Sequence, residues 1–180
     1  EISDKQAFYQ ELHDTFGEFR ERGDEDKYIE QMAHGVYVGE EFQAEYDYYV
    51  FHYVEVYYET VVHVDSKGNT YTTIERRTRT CYRYGFLLDF PFAENIALVS
   101  GGGDYDYPAK WDTTSEEFNS HFDVYARDEM TASKFLKPAV IPACVEITNY
   151  FDGLNIEIVE GGKMNIAFSD SDVLELERKH

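Results

Sequence analysis

Between Phe42 and Val64 the chain alternates. Even positions read Phe42, Ala44, Tyr46, Tyr48, Val50, His52, Val54, Val56, Tyr58, Thr60, Val62 and Val64, whereas odd positions mix Glu45, Asp47, Glu55, Glu59 and His63 with Tyr49, Phe51, Tyr53 and Tyr57. A period of two, rich in β-branched and aromatic residues, predicts one long strand with its even face buried and its odd face more exposed. Asp65-Ser-Lys-Gly-Asn69 follows, with glycine where a tight turn needs a left-handed residue, and a second strand is predicted from Thr70 to Leu88. Pairing Asp65 with Asn69 sets Val62 against Thr72, Val56 against Thr78, Val50 against Tyr84, Glu55 against Arg79 and Tyr57 against Arg77. A slip of one residue would drive the second strand's arginines among the valines, so this register is preferred although it sets Glu59 against Glu75.

Helical spacing marks the N-terminus. Ser3 with Gln6 forms a capping-box pattern, and Phe8, Leu12, Phe16 and Phe19 recur on one face, predicting a helix over residues 4–22 that Gly23 stops. A second, short helical turn is read over 26–31. Downstream, Ile96–Val99 reads as a strand, Ser115–Asn119 as a helix with Thr114 and Glu117 as its capping pair, and Phe122–Ala126 as a strand. Asp128 caps a helix through Leu136, and a further helix runs from Pro138 to Phe151, with Pro142 kinking it or marking its start. Residues 154–159 and 164–168 close the chain as a hairpin around Gly161-Gly162. The expected fold is α+β: an antiparallel sheet built on a long β-hairpin over about 42–88, with an N-terminal helix, C-terminal helices and a closing hairpin. One domain spans 1–180, with a helical N-terminal segment over 1–35 and a sheet-containing body over 36–180.

Composition narrows the function classes. The 180 residues carry 36 acidic against 16 basic side chains, a net charge of −20. Such a surface repels phosphate backbones, so non-specific nucleic-acid binding is disfavoured. Aromatic residues make up 17% of the chain, which argues for a packed core rather than disorder. No apolar stretch approaches the length needed to span a bilayer, so no membrane insertion by these residues is expected. Cys81 and Cys144 match no metal-ligand spacing and read as small apolar residues, slightly favouring a reducing compartment. The chain begins at Glu1 without an initiator methionine, so an upstream region that once held a signal or a membrane anchor is expected.

Several residues from Arg83 onward carry a resemblance: Tyr84-Gly-Phe86, then Glu117-Phe-Asn-Ser-His-Phe-Asp-Val-Tyr-Ala-Arg-Asp128, Ala132, Phe135-Leu-Lys-Pro138 and Asn165-Ile-Ala-Phe168. Over Arg83–Phe168 the sequence resembles an uncharacterised bacterial family of domains of unknown function, whose members often follow two membrane helices. The resemblance implies that the full-length protein is bacterial and membrane-attached, with this domain on the cytoplasmic side; without an anchor it would be cytoplasmic. It supplies no active-site residue.

Chemistry is sparse. Tyr53, Tyr57, Arg77, Arg79 and Arg83 form a candidate interaction face on the paired strands, where arginine and aromatic rings could meet an anionic ligand, single-stranded nucleic acid or an acidic partner segment. Glu55, Glu59 and Glu75 lie within cross-strand reach and could neutralise it instead. Asp104, Asp106 and Asp112 beside Gly101-Gly-Gly103, and Ser169-Asp-Ser-Asp172, offer oxygen-rich turns for a hard cation, yet neither follows the EF-hand pattern. His52 reads as a hydrogen-bonded core histidine, and His34, His63 and His121 show no paired spacing. No nucleophile motif is present, and the triple glycine lacks the lysine of a phosphate loop. No catalytic, metal or cofactor residue is assigned. The expected function is a non-enzymatic interaction or scaffolding domain with an unidentified protein partner, the soluble part of a membrane-attached protein. The alternative is a small-molecule-, anion- or cation-binding regulatory domain.

Overall fold

In the computed structural model, which describes residues 2–171, the fold is α+β and one eight-stranded antiparallel sheet dominates it. Three long strands lead: β1 (Glu25–Val38), β2 (Gln43–Val64) and β3 (Thr70–Asp89). The short strands β4 (Ile96–Val99), β5 (Ala109–Trp111) and β6 (Asp123–Ala126) follow, then β7 (Phe151–Asp152), the closing hairpin β8 (Asn155–Ile158) with β9 (Lys163–Phe168), and β10 (Asp170–Ser171). The sheet order is β1-β2-β3-β9-β8-β4-β6-β5, while β7 and β10 pair separately. The helices are α1 (Ile2–Thr15), α2 (Glu116–His121), α3 (Glu129–Phe135) and α4 (Val140–Ile147).

The long hairpin has the expected register along its whole length, from Val64 against Thr70 to Tyr46 against Leu88. Asp65 fixes the turn: its carboxylate accepts from the amides of Lys67 and Asn69 at 2.8 Å each, and Gly68 takes φ 81°. Local caps also hold. Asp128 accepts from the Thr131 amide to start α3, and Pro142 falls in the first turn of α4, where its missing N–H costs no helical bond. The cap of α2 is Ser115 rather than Thr114, accepting from Phe118 N. The cap read at Ser3 involves a side chain outside the described residues.

Three expectations need correction. The N-terminal helix ends at Thr15, not Arg22: Phe16 turns extended, and the chain continues as a 3-10 turn over Gly17–Phe19. The Gly17 amide, which would have continued the helical ladder, instead donates to the Glu157 carboxylate at 2.9 Å. Residues 26–31 belong to β1, not to a helical turn; register shifts between Glu25 and Tyr28 and between Ile29 and Gln31 erase the period of two that would have revealed a strand.

The third correction concerns faces. Directly opposed residues of an antiparallel pair share a face, so parity separates the two sides of the sheet. On the odd side Tyr49 and Phe51 are fully buried and Tyr53 nearly so, packed with Leu87 and Ile29 beneath Leu12, Phe16 and Phe19. On the even side Tyr84, Phe86 and Leu88 join Met164, Phe168, Leu98 and Ile158 under α2, α3 and α4. The even face of β2 is buried only at Val50 and Val54; Tyr58, Val62 and Val64 are exposed. Aromatic side chains at odd positions outweighed the glutamates among them, because α1 offered them a surface to bury against.

Candidate functional site

Beyond Glu25, whose partner is Val54, no described strand pairs with the outer edge of β2, where the Asp24 carboxylate accepts from the Val56 amide at 2.7 Å, and β9 leaves β3 at Tyr84. From Tyr57 to Thr78 the hairpin therefore runs on as a two-stranded ribbon, about 25 Å long at some 3.3 Å per residue. Its two faces differ. The odd face carries Glu55, Tyr57, Glu59, His63, Tyr71, Glu75, Arg77 and Arg79, and each of these glutamates and arginines has an ion-pair partner there. Arg77 reaches Glu59 at 3.2 Å and Glu75 at 2.6 Å, which relieves the two opposed glutamates, and Arg79 pairs with Glu55. On the even face Arg76 is held by Glu25 of β1. The remaining even positions, Val56, Tyr58, Thr60, Val62, Val64, Thr70, Thr72, Ile74 and Thr78, contain no acidic residue. Tyr58, Val62, Val64 and Ile74 are 65–75% exposed there.

Of the residues expected on one interaction face, the structure brings Tyr57, Arg77 and Arg79 together on the exposed ribbon. Tyr53 and Arg83 lie further along the same odd side but inside the body. Tyr53 is nearly buried, with the Arg22 guanidinium 6.0 Å above its ring, and burial pushes its phenol pKa up. Arg83 is 1% exposed. It anchors a polar cluster that sequence reasoning missed.

The cluster centres on Glu18, fully buried in the 3-10 turn. Arg83 donates to Glu18 through Nε at 2.6 Å and NH2 at 3.3 Å, and Arg22 approaches the same carboxylate at 3.3 Å. Asn155 Nδ2 donates to Glu18 at 2.6 Å, and Tyr105 Oη donates to the same carboxylate at 3.2 Å. Asn155 also ties down the glycine loop: its Oδ1 accepts from the amides of Ser100 and Gly101, and its Nδ2 donates to Gly102 O. Arg22 donates to Gly101 O at 2.7 Å. Next to this, Glu157 accepts from Gly17 N, and burial, the largest influence, raises its pKa to about 7, while that bond and Arg20 pull it down. Gly17 has no room for a side chain, since a Cβ would lie 2.3 Å from the Asp104 carbonyl oxygen.

What this arrangement does is clamp. Among the described residues every buried side-chain nitrogen and oxygen has a partner, so the cluster joins the N-terminal turn and the glycine loop to the sheet. Asp104, Asp106 and Asp112 do not converge: among the described residues no three His, Cys, Asp or Glu side chains are placed to hold a metal ion. Asp172 of the second oxygen-rich turn lies outside the described residues. His52 is hydrogen-bonded, to Asp26 O at 2.8 Å, and stacks on Tyr28, half-buried near the edge. No described helix is long and apolar enough to cross a membrane.

On the far side, a cleft of about 380 Å³ lies between the 90–94 segment and α3, lined by the apolar Phe90, Phe92, Met130 and Phe135, by Lys134 and Lys137, and by Arg127 with its ion-pair partners Glu94 and Asp128. No curated protein and no solved structure matches the chain. A family described as "Protein of unknown function (DUF3137)" matches residues 65–179, from the turn of the long hairpin through the closing hairpin, and takes in the whole stretch whose residues carried the resemblance. That match spans well over half of the chain, and the chain belongs to this family.

Proposed function

We propose that this chain is a non-enzymatic interaction domain whose protruding β2–β3 ribbon engages a protein partner. One observation carries the reading: in a chain of net charge −20, the ribbon's even face exposes Tyr58, Val62, Val64 and Ile74 among threonines, with Arg76, held by Glu25 of β1, as its one charged position. Exposed hydrophobic surface of this kind marks contact sites. The partner's contacting strip is therefore largely apolar and carries no unpaired charge. Tyr57, Arg77 and Arg79 flank it on the reverse face, with Tyr53 and Arg83 fixing the ribbon's root. The resemblance to bacterial domains that follow two membrane helices supports membrane attachment of the full-length protein, with this domain on the cytoplasmic side. A photo-crosslinking residue placed at Tyr58, Val62 or Ile74 in the native cell should give one discrete adduct, lost when the other two positions are changed to Ser. Adducts that form equally from an exposed body position such as Lys134 would sink the assignment.

The alternative, an anion-binding regulatory domain, has its support in the cleft beside α3. Lys134 and Lys137 have no carboxylate partner among the described residues, although the chain is strongly acidic. A medium-chain fatty acid is the anion this reading assigns, its carboxylate drawn to the two lysines while Arg127 is occupied by Glu94 and Asp128. Binding by the native chain that is lost in Lys134→Glu/Lys137→Glu would favour this second reading.

A further inference from the structure

β1 ends the eight-stranded sheet, and its outer edge is guarded along only half its length. An open edge offers unpaired main-chain N–H and C=O groups to any strand that can align with them; proteins blunt such edges with bulges, charges, proline or a covering element. Over Glu25–Glu30 those devices are present. The register shifts twice, Asp26 takes φ 51°, Lys27 and three acidic residues line the strand, and Lys5 Nζ reaches across from α1 to Glu30 O at 3.3 Å. Over Gln31–Val38 none of them is found among the described residues. Register with β2 runs unbroken from Gln31 against Val50 to Val38 against Gln43, and Gln-Met-Ala-His-Gly-Val-Tyr-Val contains no Pro, Lys, Arg, Asp or Glu. Its single imidazole, His34, is engaged by Asp47 of β2 at 2.9 Å. Met32, Val36, Tyr37 and Val38 are exposed.

We infer that Gln31–Val38 is a self-association edge through which two copies of this chain join their sheets. The pairing is antiparallel, about a two-fold axis normal to the sheet, with His34 at the axis. Under that symmetry opposed residues share a face, which requires their numbers to have the same parity. Met32 then meets Val36 of the second copy, Ala33 meets Gly35 and Gln31 meets Tyr37. The same register carries the Glu40-Glu41 turn of each copy toward Lys27 of the other. A second copy suits the edge for two reasons. It brings the same eight-residue uncharged strand, so no like charges face each other in the ladder, although one residue in five of the chain is acidic. An isologous pairing also uses both open edges at once and closes the assembly at two.

The net charge sets the condition: two bodies of −20 repel until salt screens them, so dimerisation should strengthen with ionic strength. The experiment is sedimentation velocity on the full chain, over a concentration series at low and high sodium chloride, with hydrogen exchange on the same samples. Expected is a monomer–dimer equilibrium favoured by salt, with amide protection gained at Gln31–Val38 as the dimer forms. Val36→Lys, at an exposed side chain, should raise the dissociation constant roughly tenfold or more with unchanged circular dichroism. A Tyr58→Ser/Ile74→Ser variant, which impairs the proposed partner contact, should dimerise like the native chain. A monomer under all conditions would overturn the inference. So would a dimer whose Gln31–Val38 amides exchange as in the monomer, one indifferent to Val36→Lys, or one dissolved by the ribbon variant.

Discussion

Glu157 is a carboxyl group in the wrong place for a charge. Its folded pKa of about 7 stands above the ordinary 4.5, because burial penalises the ionised form more than the Gly17 amide and Arg20 favour it. Folding thus takes up a proton between these two values, and the stability it confers is full below about pH 4.5 and lost as pH rises through 7. The loss amounts to about 3 kcal/mol, at 1.36 kcal/mol per unit. Glu157→Gln keeps the Gly17 contact without the charge. Urea unfolding at pH 5 and pH 8 should show the variant gaining on the native chain at the higher pH; parallel pH profiles would refute the assignment. A second residue-scale test concerns Gly85, opposite Tyr49 in the ladder. The Tyr49 ring lies across it, 2.2 Å from where a Cβ would stand, and its hydroxyl donates to Asn165 at 2.7 Å. Gly85→Ala must push that ring away and break the bond, so a loss of about 1–3 kcal/mol is expected by overpacking. A denaturation midpoint equal to the native one would show that the ring has room to move.

At the scale of elements, the arginines of β3 divide by what surrounds them. Arg77 and Arg79 form exposed pairs, which solvent and salt largely screen, so replacing both by Ala should shift the melting temperature only slightly. Arg83 differs. Its removal leaves Glu18 buried with Arg22 alone as cation, and Arg83→Met should cost about 3 kcal/mol, since a buried carboxylate loses its closest partner. Thermal melts of the two variants side by side decide this; equal shifts would mean the cluster does not clamp the turn to the sheet. This division also marks what the sequence could disclose. The hairpin register was legible because Asp65, Gly68 and the arginine–glutamate matches all agree locally. The α3 start was legible for the same reason, Asp128 announcing it, and that of α2 was legible to within one residue, its cap being Ser115 instead of Thr114. β1 was not, because two bulges destroyed its alternation. The cluster was hidden for another reason: Asn155, Glu157 and Asn165 alternate with apolar residues and so read as a solvent-facing side. Glu157 meets Gly17, 140 residues away in the chain, Asn155 meets Glu18 and Asn165 meets the Tyr49 hydroxyl, and no local pattern records those contacts.

For the whole molecule, a net charge of −20 acts over longer distances than its ion pairs do. The described surface pairs, such as Arg77 with Glu75 at 2.6 Å and Lys110 with Asp123 at 3.3 Å, work at contact distance. Repulsion among unpaired carboxylates sums over tens of ångströms and is cut off once the Debye length falls to about 10 Å at 0.1 M salt. Screening therefore removes repulsion before it removes attraction, and the melting temperature should rise with sodium chloride at first. Each kcal/mol regained corresponds to about 2–4 °C for a domain of this size. Dimerisation through the β1 edge would also stabilise the fold as salt rises, by mass action. The two contributions separate by concentration: repulsion within one molecule is independent of it, whereas coupling to a dimer is not. Melting the Val36→Lys variant at low concentration isolates the intramolecular part, which should keep most of the rise. If its melting temperature falls steadily with salt while the native chain's rises, the stabilisation belongs to association, and the acidic surface is already balanced by its own pairs.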